Sequence, residues 1–204
     1  MKAIQKRSLL TQEKILSVAE QLLRDNPYVE LTIPSVAKNA KVSVGGLYGR
    51  FKSREELLAE VYNRYRLRRN ERINLLLEAK KSESSDLLQR LSCVSELFVS
   101  LHLADGGILR SFIIHHWLTA SSRPSKEIKS EISSHLSRLT EYIIGGDVRL
   151  KDQSSRVSTV LGYMVSISKD SIVIKPETSA EINLIDKKSL VADITRMASS
   201  LLVF

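Results

Sequence analysis

Apolar residues recur at helical spacing along most of this chain, and that periodicity constrains its fold more than any other feature. Ile15, Ala19, Leu22 and Leu23 follow an i, i+4, i+7, i+8 pattern, one buried face of an α-helix. Thr11 stands where an N-cap is expected, and Pro27 disfavours helical backbone at Asn26, so this helix should stop near Asp25. Thr32 can cap a second helix, with Pro34 in its first turn, where a missing N–H costs nothing, and with Val36, Ala37 and Ala40 facing inward. After a short turn at Lys41-Val42, Ser43 can cap a third helix carrying Val44, Leu47, Tyr48 and Phe51. Ser53-Arg54-Glu55-Glu56 reads as a capping box ahead of Leu57, Leu58, Val61 and Tyr62, and the helix it opens can run on without a linker. Further helices are expected at about 86–104, 107–120, 125–144, 153–170 and from 187 to near the end, with breaks at Ser82–Ser85, Asp105-Gly106-Gly107, Ser121–Ser125 and Gly145-Gly146. Ile172-Val173-Ile174 has strand character but no partner strand, so 171–185 reads as a connection broken at Pro176. The expected fold is all-α, with about nine helices.

At 204 residues and 43% hydrophobic, the chain can bury a core without staples and is not disordered by composition. The lone Cys93 excludes an internal disulfide framework and a cysteine-rich metal site. No unbroken run of about 18 apolar residues suggests a membrane span, and the amino-terminal residues lack the apolar stretch of a secretory signal, so a cytoplasmic location is expected. Charge is uneven. Residues 1–70 hold 14 Lys and Arg against 7 Asp and Glu, a net of +7, whereas residues 71–204 hold 17 against 16, a net of +1. A basic segment on a near-neutral body fits a polyanion-binding module, although charge alone fits a solvated basic surface equally well.

The segment from Thr32 to Leu58 decides between these. Two short helices around a tight turn, with small Ala37 and Ala40 at the crossing, follow the helix-turn-helix plan, whose second helix enters the DNA major groove. The residues Leu31-Thr32-Ile33-Pro34-Ser35-Val36-Ala37-Lys38-Asn39-Ala40-Lys41-Val42-Ser43-Val44-Gly45-Gly46-Leu47-Tyr48-Gly49-Arg50-Phe51-Lys52-Ser53-Arg54-Glu55-Glu56-Leu57-Leu58 resemble the signature of the tetracycline-repressor (TetR) family of bacterial transcription regulators. With the first helix, the resemblance covers about residues 10–62. The sequence departs from the family's usual pattern at Lys41, where glycine is common, at Gly49, where a second aromatic is common, and at Arg54, where lysine is common. The resemblance implies an N-terminal helix-turn-helix DNA-binding domain, residues 1–52, and a C-terminal helical ligand-binding and dimerisation domain, residues 53–204.

Candidate DNA contacts are Thr32, Ser43, Val44, Gly45, Gly46, Tyr48, Arg50, Lys52 and Arg54. Val44 can touch a thymine methyl, and Arg50 can reach a guanine or a phosphate. Tyr48, Lys52, Arg54 and Thr32 read as backbone contacts, and Ser43 as the cap ordering free N–H groups at the recognition helix's start. Gly45, Gly46 and Gly49 crowd into five positions; each weakens a helix by roughly 0.8–1 kcal/mol relative to alanine, a cost that close approach to DNA would explain. Lys2, Lys6 and Arg7 read as an arm along the duplex or as a frayed terminus, and Arg64, Arg66, Arg68 and Arg69 as a solvated basic face.

For the second domain, Leu190, Ile194, Met197, Leu201 and Phe204 step by 4, 3, 4 and 3, and Val157, Val160, Leu161, Met164 and Val165 offer a companion stripe. The stripes by themselves fit burial against their own chain equally well; the resemblance makes them a homodimer interface, with Val157, Leu161, Met164, Leu190, Ile194, Met197 and Leu201 as its candidate residues. It also implies a pocket for a small-molecule effector of unknown identity, for which Phe98, Leu101, His102, Phe112, His115, His116, Trp117 and Tyr163 are the candidates, although Phe98, Leu101 and Phe112 read more readily as core and the histidines as surface or core residues. The implied function is a regulator, in the family's usual mode a repressor, released from a palindromic DNA operator when the effector binds. A rival is a DNA-bound helical protein that recruits a protein partner without a metabolite. No phosphate-binding glycine loop, His-Glu-x-x-His or nucleophile elbow points to an enzyme, and no cofactor or metal is implied.

Overall fold

The computed structural model describes residues 2–25, 31–79, 86–119, 126–174, 181 and 184–202, the side chains of 2–7 and 116–119 excepted. The described residues form nine α-helices and no strand. They are α1 (Lys2–Asp25), α2 (Ile33–Ala40), α3 (Val44–Tyr48), α4 (Arg54–Ala79), α5 (Leu87–Thr119), α6 (Lys126–Ile144), α7 (Val148–Lys151), α8 (Ser154–Lys169) and α9 (Lys187–Leu202).

Two hydrophobic cores organise these helices. The first gathers Ile15, Leu16, Ala19 and Leu23 of α1, Val36, Ala37 and Ala40 of α2, Leu47 and Phe51 around α3, and Leu57, Leu58, Val61 and Tyr65 of α4, with Ile108 of α5. The second packs α5, α6, α8 and α9 through Val94, Phe98, Val99, Leu101, Leu139, Ile143, Val157, Leu161, Met164, Ile194 and Ala198. Helix α4 runs from one core into the other, contributing Ile73 and Leu77 to the second, so no hinge-like linker divides head from body. Two helical stretches, Leu87–His115 and Ser154–Ile174, are long and apolar enough to cross a membrane by length and composition; here they are the helices on which the second core is built.

Two local expectations are corrected and one is met. Helix α1 already begins at Lys2, so Thr11 lies inside it rather than at its cap, and the backbone of the expected arm is its first turns. The break expected at Asp105-Gly106-Gly107 is present as a kink within the span of α5, where Asp105 alone is non-helical (φ −129°, ψ 17°). Glycine serves packing there: a Cβ on Gly107 would lie 2.3 Å from the Leu23 carbonyl oxygen, so only glycine lets α5 cross the end of α1 at this distance. The second correction is that 171–174 does not leave the helix as a connection: Asp170–Ile174 continues α8 as a π-helical turn that buries Ile172 and Val173. Their β-branched character serves core packing, which the strand-like pattern could not distinguish.

Candidate nucleic-acid interface

The helix-turn-helix is set by caps at both starts. Thr32 is extended (φ −111°, ψ 153°), and its hydroxyl accepts from the Ser35 N–H at 3.2 Å. The Ser35 hydroxyl in turn accepts from the Thr32 N–H at 3.2 Å, a capping box made with serine. Helix α2 stops because Lys41 is left-handed (φ 54°, ψ 47°), which lets the N–H of Val42 return to the Ala37 carbonyl at 3.0 Å. Ser43 then accepts from the Gly46 N–H at 3.0 Å and starts α3. Ser53 likewise accepts from Glu56 N–H at 3.2 Å, but the Glu56 carboxylate accepts from the Lys52 N–H at 2.6 Å, one residue before the position a standard box would use. The neighbouring Glu55 carboxyl is held below the usual carboxylate range by its own backbone N–H and by Ser53, with smaller help from Arg54 and His115.

Helix α3 is anchored by Leu47, fully buried, while Val44 and Tyr48 are 43% and 48% exposed and Gly45 and Gly49 are exposed beside them. Thr32 and Lys52 are also exposed, Gly46 and Arg54 half-buried. Arg50 does not extend from this surface. Its Nη1 donates to the Gly46 carbonyl at 2.8 Å, so the guanidinium caps the carboxyl end of α3 rather than reaching outward for a base or phosphate.

The cluster Arg64, Arg66, Arg68 and Arg69 of α4 is not a solvated face. Arg64 and Arg68 turn to Glu20 of α1, at 3.1 and 2.9 Å, and Arg24 and Arg68 converge on Asp105 of α5, at 2.7 and 3.4 Å. Glu20 and Asp105 are almost wholly buried. On the other side of α4, Arg66 and Arg69 pair with Glu131 of α6, which also accepts from the Asn70 amide at 2.6 Å. Sequence reading missed Glu20 and Asp105. The available signal was an acid on the apolar side of α1, next to Ala19 and one turn before Leu23, which asks for a cation.

The candidate effector contacts do not converge. Phe98, Leu101 and His102 are buried in the second core. His102 Nδ1 is 2.8 Å from the Ser168 hydroxyl, and burial, aided by the cations of Lys169 and Arg69, pushes its imidazole down to about 4. Phe112 instead stacks on Tyr62, with ring centroids 4.1 Å apart, against the first core, and His115 is close enough to Glu55 to lower its carboxyl. Tyr163 is half exposed on the outside of α8, so it faces away from the body's interior. The side chains of His116 and Trp117 lie outside the described residues. An open groove of about 950 Å³ runs between α5 and α9, along Leu88, Ser92, Glu96, Lys188, Val191 and Arg196; none of the described candidates lines it. Among the described residues no group of His, Cys, Asp or Glu could hold a metal ion.

Of the candidate interface residues, Val157, Leu161, Met164 and Ile194 are buried within their own chain, because α8 and α9 turn these stripes toward each other and toward α5. They have no surface left for a second subunit. Leu190, Met197 and Leu201 are half-buried against the same core, and Phe204 lies outside the described residues.

Residues 15–61 match the family described as "Bacterial regulatory proteins, tetR family". Uncharacterized HTH-type transcriptional regulators of Mycobacterium bovis and of Mycobacterium tuberculosis H37Rv are each 40% identical to this chain over 57 residues, 28% of this chain and 27% of theirs. The likeness thus spans about a quarter of the length of these relatives. Solved structures resemble the fold along nearly the whole chain. A transcriptional regulator from Aquifex aeolicus aligns with a TM-score of 0.60 at 19% identity, covering 94% of this chain and 99% of its own. A TetR-like regulator from Rhodococcus sp. RHA1 aligns at 0.59 and 15%, covering 93% of each chain. The fatty acid degradation regulator FadR from Bacillus halodurans aligns at 0.57 and 15%, covering 92% and 94%. The fold is all-α, and its residues 32–48 form a helix-turn-helix. The likeness to the TetR family of bacterial regulatory proteins lies in residues 15–61, the N-terminal part of the chain.

Proposed function

We propose that the protein is a dimeric transcriptional regulator that binds a palindromic DNA operator through α2 and α3, and that it represses until a small-molecule effector releases it. The observation that carries this reading is the doubly capped helix-turn-helix with an exposed α3 face at Val44, Gly45 and Tyr48. A net charge of +7 in residues 1–70 supports it, since phosphate neutralisation supplies most non-specific affinity. Dimerisation follows from the geometry of readout, in which two heads must meet half-sites one helical turn apart. Release by an effector has a mechanical basis in Arg24 and Arg68, which tie Asp105 at the α5 kink to α1 and α4. A shift of α5 would then reorient the head.

One observation favours a second reading for the body. Phe98, Leu101 and His102 fill the core, and the groove between α5 and α9 is open to the surface, an arrangement suited to a protein partner as much as to a metabolite. Footprinting on genomic DNA, including the region upstream of the protein's own gene, tests the main reading. Discrete protected palindromes are expected, and protection nowhere at modest salt would sink it.

A further inference from the structure

Resting on that reading, we infer that the recognition helix selects its half-site through thymine methyl groups seated on Val44 and the bare backbone of Gly45, without hydrogen bonds from long side chains to guanine or adenine. The exposed positions of α3 are Val44, Gly45, Tyr48 and Gly49. Reading guanine in the major groove takes a forked or ammonium donor, and reading adenine takes an amide. This face has neither; its only polar side chain is the Tyr48 phenol. The guanidinium nearest in sequence, that of Arg50, is turned back onto the Gly46 carbonyl at 2.8 Å, and the Asn39 amide of α2 donates to the Ser35 carbonyl at 2.8 Å. Exposed Lys41 and Lys52 stand in the flanking turns and not on α3, and the Ser43 hydroxyl is engaged by the Gly46 N–H. Beside the Tyr48 phenol, what α3 itself presents is apolar, and the thymine methyl is the apolar mark of the major groove.

The glycines separate fold from function. A Cβ on Gly107 would strike backbone at 2.3 Å, and one on Gly46 would press on the Ser43 hydroxyl at 3.0 Å, so the protein's own structure accounts for both. A Cβ on Gly45 would meet nothing within 4 Å. Alanine there would improve the helix, so nothing within the chain calls for the missing side chain. Gly162 of α8 is equally open, so it is the exposed place of Gly45 on the recognition helix that points to a surface approaching the backbone closely. Val44, the preceding residue, then supplies the contact to the base edge.

The experiment uses the full chain. Preferred sites are selected from a random duplex pool, and binding to them is titrated by fluorescence anisotropy. At least one thymine per half-site is expected for which deoxyuridine, lacking only the 5-methyl, weakens binding roughly fourfold. Replacing site guanines by 7-deazaguanine is expected to change nothing. Gly45→Ala is expected to weaken selected-site binding roughly tenfold while binding to random duplex holds and the melting temperature does not fall. The inference is overturned if every deoxyuridine site binds as well as its thymine parent, if 7-deazaguanine abolishes selection, or if Gly45→Ala binds like the parent protein. Absence of any duplex binding is a different result, which removes the DNA-binding reading itself.

Discussion

Head and body are both helical but are held together in different ways. Helices α2 and α3 have eight and five residues, too short to be stable alone, and each opens on a side-chain cap, Thr32 and Ser43. The body's main helices run to 16–33 residues and draw their stability from long apolar faces buried on one another. Many positions in the head therefore demand one kind of residue, such as a hydroxyl at a cap, an alanine at a crossing or the single buried leucine of α3. In the body almost any residue that preserves the apolar face will serve. This is why identity of 40% is confined to 57 residues while the whole fold persists in structures only 15–19% identical.

The largest expected effect separates the two cores directly. Leu47→Ala and Leu161→Ala each empty a fully buried site and should cost about 3 kcal/mol in urea denaturation. Only Leu47→Ala should abolish duplex binding where both variants remain folded; equal loss from Leu161→Ala would mean that head and body act as one unit. Next, Glu20→Gln leaves Arg24, Arg64 and Arg68 without their shared anion and should cost about 2–3 kcal/mol, toward the low end for a buried pair because the arginines are partly exposed. Glu131→Gln, on the body side of α4 and 24% exposed, should cost no more than about 1 kcal/mol. The reverse order would show that α4 is anchored chiefly by the body.

Acid should weaken the body before the head. The unfolded chain protonates His102 near pH 6.5, whereas the folded chain resists until about 4. Stability present above pH 6.5 is thus lost as pH falls toward 4, by at most about 1.4 kcal/mol per pH unit. His102→Gln should flatten that slope between pH 6.5 and 5, and an unchanged slope would place the acid sensitivity elsewhere. The smallest effects lie in the turn. Thr32→Ala should destabilise by about 1 kcal/mol, and Lys41→Gly should stabilise by no more than about 1 kcal/mol, since its backbone is left-handed. Thermal melts of the pair, shifting in opposite directions, check both.

Local chemistry was legible and long-range pairing was not. The caps at Thr32, Ser43 and Ser53 could be read because each joins residues three apart. Helix ends near Asp25, Ile144 and Lys187 followed from proline, glycine and periodicity in the same way. The fate of the α4 arginines depended on acids 37 to 65 residues away, and no spacing rule reaches that far. At Arg50 the competing partner is local instead, since a four-residue step back to the Gly46 carbonyl competes with any outward contact. The stripes on α8 and α9 were correctly seen as apolar, but periodicity says that a face is buried and not against what. Phe112 and Phe98 lie on one helix yet serve different cores: past the kink at Asp105, Ile108 and Phe112 join the first core while Ile113 stays on the second.

Gly107 leaves the backbones of α5 and α1 with no side chain between them. Side chains elsewhere can change rotamer and absorb a displacement; main chain against main chain has no such slack. Whatever nudges the middle of α5 is therefore handed to Leu23 and Arg24 at full amplitude, and any larger residue at this crossing would wedge the two ends of the molecule apart.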